Sequence, residues 1–124
     1  MKLKIELIKK ILDRIEADNS WPAPIQNIAI EGYEQIDVVY HLFLMSDADL
    51  IRITDCTTRA GKDCLVKEMT WEGHAFLANS KDPTNWKKFK GAMNTIGDVS
   101  FDVAKATLAS MAGAAVAVGI QSLH

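Results

Sequence analysis

Cys56, Cys64, His41 and His74 carry the side chains best suited to hold a metal. Zinc sites usually draw their ligands as close pairs, because Cys-x-x-Cys or His-x-x-x-His spacing aims two donors from one turn. Neither spacing occurs here, and the two cysteines instead flank a polar turn, so they read as reduced thiols and no metal is expected. Glu72 with His74, and Asp47 with Asp49, are the remaining candidates for acid–base work. Glu72 and His74 stand two residues apart, which on a helix turns them to different faces. No nucleophile elbow, phosphate-binding glycine loop or dinucleotide fingerprint is present. The expectation is a non-enzymatic chain without a cofactor.

Nucleic-acid chemistry needs cations on a defined surface. Arg59, Lys62 and Lys67 stand where a hairpin could touch a phosphate backbone, with Gln35 and Tyr40 as base readers. Lys87, Lys88 and Lys90 make a second basic group. The ordinary role of such groups is solubility, and the chain total favours that role. Fourteen Lys and Arg against sixteen Asp and Glu leave a net charge of −2, with no general attraction to DNA or anionic lipid.

These residues sit on elements the pattern defines. Leu3, Ile5, Leu7, Ile8, Ile11, Leu12 and Ile15 recur at three- and four-residue spacing, which predicts an amphipathic helix from Lys2 to about Ala17. Because Met1-Lys2-Leu3-Lys4 leads straight into that helix, a signal peptide is not expected and a cytoplasmic location is. Pro22 and Pro24 force an extended or turning segment, Ile28-Ala29-Ile30 is expected as a short strand, and Gly32 turns the chain. A second helix runs from about Glu34 to Ser46. Leu50–Thr54 and Cys64–Met69 follow as paired strands around a polar turn in which Gly61 supplies positive φ where required. Thr70 then caps a third helix that stops near Asn79-Ser80, and Trp86, Phe89 and Met93 mark a short fourth.

From about Ser100 to Ser122 the chain is rich in Ala and Gly, with almost no polar face after Lys105. A helix apolar all round must be covered. Ala106 to Ile120 falls short of the roughly 20 residues a bilayer span needs. Ala109, Gly113 and Ala117 align at four-residue spacing, which lets helices approach closely. This reads as a packing or homo-oligomer-forming helix, with attachment to membrane a secondary reading.

The order helix, strand, helix, ribbon, helix predicts an α+β, winged-helix-like domain over residues 1–97. It would comprise an N-terminal helix, a recognition-type helix, a two- to three-stranded β-wing and further helices. Residues 98–124 would add the Ala/Gly-rich C-terminal helix, packed on the domain or on a second subunit.

Five motifs carry a resemblance across nearly the whole chain: Glu31-Gly32-Tyr33, Tyr40-His41-Leu42, Thr70-Trp71-Glu72-Gly73-His74, Trp86 and Ser100-Phe101-Asp102. Their order resembles a phage- and prophage-associated family of small bacterial proteins built on a domain of unknown function. The resemblance implies a winged helix in a phage setting, and no activity. The chain departs from the usual winged-helix pattern twice. Asp49 stands where glycine commonly takes the left-handed position after the helix. The two prolines also leave the usual supporting helix short or missing.

Two faces of the second helix compete for burial. Aligning Ala48-Asp49-Leu50 with a winged-helix ending buries Val38, Leu42 and Met45 and turns Ile36, Val39, Tyr40 and Phe43 outward. The helical wheel alone buries Ile36, Val39 and Phe43 and exposes Glu34, Asp37 and His41. Neither face holds a Lys or Arg, so either suits a protein partner better than DNA. The function expected is a protein-binding regulator or inhibitor of a host system, using Ile36, Val39, Tyr40 and Phe43. A DNA-binding regulator using Gln35, Arg59, Lys62 and Lys67 is the alternative.

Overall fold

The computed structural model describes residues 3–96, arranged as an α+β fold with four helices and one two-stranded antiparallel sheet. Helix α1 spans Ile5–Ala17, α2 Gln35–Asp47, α3 Trp71–Ser80 and α4 Pro83–Ile96; strands β1 and β2 span Ile51–Asp55 and Cys64–Met69. The expected C-terminal helix, with Ala109, Gly113 and Ala117, lies outside the described residues, as does Ser100-Phe101-Asp102. The chain forms two compact units that divide after Leu77.

In the first unit, α1 begins at Ile5, later than the expected Lys2, with Leu3 and Ile5 half-buried. It buries the stripe from Leu7 onward: Leu7, Ile8, Ile11, Leu12 and Ile15 lie in the core. Each such side chain contributes about 1.5–3 kcal/mol on burial. Helix α2 is packed by α1 as well as by both strands, so its apolar arc is broad. Its ending is a Schellman motif, in which the Leu50 N–H reaches the Met45 carbonyl at 2.9 Å and the Asp49 N–H reaches Ser46 at 3.0 Å. Asp49 takes the left-handed conformation, φ +62°, as its position after the helix predicts.

The ribbon pairs Asp55 with Cys64, Thr54 with Leu65 and Ile53 with Val66, then Arg52 with Glu68. Lys67 is therefore the extra residue of a β-bulge. The strand expected at Ile28–Ile30 does not form. The third strand is instead a single bridge at Ile25, which exchanges backbone bonds of 2.8 and 3.0 Å with Val66. Pro22 and Pro24 cannot donate to a ladder on one side of it. On the other side, Asn27 at φ +52° turns the chain, so Ile28 enters the core as a loop residue.

Thr70 joins the ribbon to α3. Its hydroxyl accepts the Gly73 N–H at 3.1 Å and donates to the Asp49 carbonyl, and its own N–H reaches the Leu50 carbonyl at 3.0 Å. Gly73 lies so close to Leu50 that a Cβ there would sit 2.1 Å from the Leu50 oxygen. In the second unit, the Asp82 carboxylate caps α4 through the Thr84 and Asn85 N–H groups, with Pro83 at the first helical position. The Trp86 and Phe89 rings lie 5.5 Å apart, tilted by 36°, and are buried with Met93, as their helical spacing predicts. The helix they mark runs for 14 residues rather than being short. Among the described residues no helix is long and apolar enough to cross a membrane.

Candidate functional site

The solvent side of α2 resolves the competition between its two faces. Val38, Leu42 and Met45 are buried, whereas Ile36 is 54% exposed and Tyr40 36%. Val39 corrects the expected outward set: it is only 5% exposed, because α1 and the ribbon together cover more of α2 than a single ridge would. Phe43 is half-buried, with the Lys62 ammonium 4.6 Å above its ring. The exposed apolar strip is thus Ile36 and Tyr40, one turn apart, bordered by exposed Glu34, Gln35 and Asp47.

Asp37 and His41, which the wheel exposes, point inward. The His41 ring is fully buried; its Nε2 accepts the Lys4 backbone N–H at 2.9 Å and its Nδ1 lies 2.8 Å from the Asp37 carbonyl. The Asp37 carboxylate pairs with the Lys4 ammonium, and that bond holds its pKa below the ordinary carboxylate value. Burial pushes the His41 pKa down, against the pull of the Asp37 carbonyl and carboxylate. These side chains build the fold, and the spacing of more than thirty residues between Lys4 and its partners hides them from local pattern.

The proposed DNA-contacting residues stand on three different elements: α2, the polar turn and β2. Gln35 donates its amide to the Ile28 carbonyl at 3.0 Å. Lys62 covers Phe43, and Arg59 is exposed in the polar turn. Lys67, the bulge residue, instead lines a cleft of about 290 Å³ with Ile15, Trp21, Ile25, Met69 and His74. Two carboxylates of that cleft are already paired, Asp18 with Arg14 at 3.1 Å and Glu68 with Arg52 at 3.2 Å.

Both cysteines are free thiols. Cys64 is buried, its thiol pushed up to about 11 by burial and then by Asp63 and Asp55, while Cys56 is half-buried. His74 is exposed beside the cleft, two residues from exposed Glu72. Among the described residues, no three His, Cys, Asp or Glu side chains converge as metal ligands would.

The motifs now divide into those that build the fold and those that do not. Gly32 turns at φ +87°, and the Tyr33 ring receives the ammonium groups of Lys4 and Lys10 at 5.8 and 5.3 Å. His41 and Leu42 are core, Thr70 is a cap, and Gly73 permits close approach. Tyr40, Trp71 and His74 remain at the surface, Trp71 at 86% exposure. Its exposure escaped the sequence reading, although the buried stripe Gly73, Phe76, Leu77 and Ser80 leaves it off the packed face.

Comparison with known proteins agrees with the motif reading in one respect, a domain of unknown function. A protein of Haemophilus influenzae described as "Uncharacterized protein" is 26% identical over 106 residues, covering 85% of this chain and 90% of that one. No solved structure matches the chain. The family model described as "Hypothetical protein (DUF2513)" matches residues 2–99, a span that includes every described helix and strand. The chain belongs to the DUF2513 family.

Proposed function

We propose that this chain is a non-enzymatic, winged-helix-like interaction module that binds a protein through the exposed side of α2. In a phage or prophage setting it would act as a regulator or inhibitor of a host system. The observation that carries the reading is the composition of that side: exposed Ile36 and Tyr40 with acidic neighbours, and no Lys or Arg from Gln35 to Asp47. Aromatic and aliphatic anchors of this kind supply most interface energy, and a cation-free helix is poorly suited to read a phosphate-lined groove. The matching partner surface offers an apolar pocket edged by cations. The order α1, Ile25 bridge, α2, β1, β2 supports the winged-helix comparison, as does the left-handed Asp49 that ends α2.

The test is recovery of a partner by the tagged full-length chain from its host, repeated with Ile36→Ala and Tyr40→Ala. Each variant is expected to lose at least tenfold in retained partner with an unchanged circular dichroism spectrum, since an anchor residue is worth about 2 kcal/mol or more. Equal retention by both variants defeats the reading. Duplex DNA binding that falls steeply with salt and disappears in Arg59→Ala would replace it with a DNA-binding one.

A further inference from the structure

Both ring nitrogens of His41 are committed inside a fully buried site, and only one protonation state fits. Nε2 accepts the Lys4 N–H, so it carries no proton; Nδ1 therefore carries one and donates it to the Asp37 carbonyl. An imidazolium would carry N–H on both nitrogens, so its Nε2–H would face the Lys4 N–H, donor against donor, with no exposed surface from which water could help. The surrounding charges do not reverse this. From α2 itself, the Asp37 Oδ1 lies 3.7 Å from Nδ1 and favours the cation, but its other oxygen holds the Lys4 ammonium, which disfavours it. The Tyr40 ring stands edge-on at 5.5 Å. The charged groups that act on the ring are Asp37 and Lys4 alone among the described residues, and β1 and β2 add none.

Lys4 is the N-cap of α1 and has no side-chain cap bond of its own. Its carbonyl accepts the Leu7 and Ile8 N–H groups at 3.1 and 3.2 Å. Loss of the His41 acceptor therefore releases the backbone N–H of the residue on which the first turn of α1 closes, although its ammonium stays paired with Asp37. We infer that His41 is an acid-released clasp: protonation of its ring releases the Lys4 backbone N–H and loosens the first turn of α1, with the Lys4–Asp37 ion pair still in place and the β-ribbon still folded. The sign follows from which state takes the proton. The closed state resists protonation and the open state does not, so closure is fully present above the ordinary histidine value of about 6.5 and is lost as pH falls below it.

The test uses the full chain labelled with ¹⁵N. At pH 7.5 the His41 nitrogen shifts are expected to report the neutral ring with its proton on Nδ1. Below about pH 6.5, opening measured by hydrogen exchange at Lys4, Leu7 and Ile8, corrected for intrinsic exchange, is expected to rise by up to tenfold per pH unit. Opening at Val66 is expected to stay constant over that range. His41→Gln keeps an acceptor for Lys4 but takes no proton, and should abolish the pH dependence. The inference is overturned if Val66 opens in step with Leu7, if Leu7 and Ile8 stay closed while His41 protonates, or if His41→Gln keeps the pH dependence.

Discussion

Gly73→Ala sets helix propensity against packing, and the structure decides which wins. Alanine is the better helix former by about 1 kcal/mol, so propensity alone predicts stabilisation of α3. The site does not accept the methyl group. Its Cβ would stand 2.1 Å from the Leu50 carbonyl oxygen, 3.1 Å from the Leu50 carbonyl carbon and 2.6 Å from Met69 Cγ. The Leu50 oxygen is backbone and already accepts the Thr70 N–H, so its retreat costs that hydrogen bond as well. Forcing a methyl group into a filled site costs about 1–3 kcal/mol, and the lost bond about 1 kcal/mol. The propensity gain offsets only the latter, which leaves a net loss of about 1–3 kcal/mol. In urea, with a slope of about 1–3 kcal/mol per molar, a mid-range loss lowers the unfolding midpoint by about 1 M. Equilibrium unfolding followed by circular dichroism measures it, with Gly91→Ala as the comparison. Gly91 also lies within a helix, α4, but a Cβ there meets nothing within 4 Å, so alanine should gain about 0.5–1 kcal/mol. A Gly73→Ala chain at least as stable as the parent would refute the close approach of α3 to Leu50.

Three further outcomes follow from the same unit. Asp49→Gly relieves a non-glycine residue at φ +62° and should stabilise the chain by about 0.5–1 kcal/mol in the same urea assay; a loss would mean that the Asp49 carboxylate has a role beyond the turn. Thr70→Val keeps the shape but removes both hydroxyl bonds, to the Gly73 N–H and the Asp49 carbonyl, at an expected cost of about 1–2 kcal/mol; an unchanged midpoint would contradict the cap. Ellman's reagent at pH 8 should react promptly with the half-buried Cys56 only, leaving Cys64, whose thiol is pushed up to about 11, until the chain unfolds; two prompt equivalents would contradict that burial.

The elements that can be read from the chain are those whose causes are local. The α1 stripe repeats with the period of a helix, and from Leu7 to Ile15 the same residues form its buried face. Thr70 caps because its hydroxyl reaches three residues on, and Asp82 and Pro83 open α4 in a similar way. The left-handed Asp49 follows from its place after a helix end. The Ile25 bridge was harder to see, since Ile28-Ala29-Ile30 has the better strand composition. The positive φ of Asn27 and the partner offered by Val66 outweighed that local preference.

By itself, then, the sequence determined where most helices start and stop, the ribbon with its polar turn, and the absence of any cation along α2. Only the tertiary structure decided which way α2 faces. Its sequence is apolar around most of its circumference, so two wheel alignments were equally good locally. The covering came from α1 and the ribbon together. That choice buried Val39 and left Ile36 and Tyr40 in solvent. It also turned Asp37 and His41 inward onto Lys4, a residue far away in the chain, because buried polar groups must find partners wherever the fold supplies them.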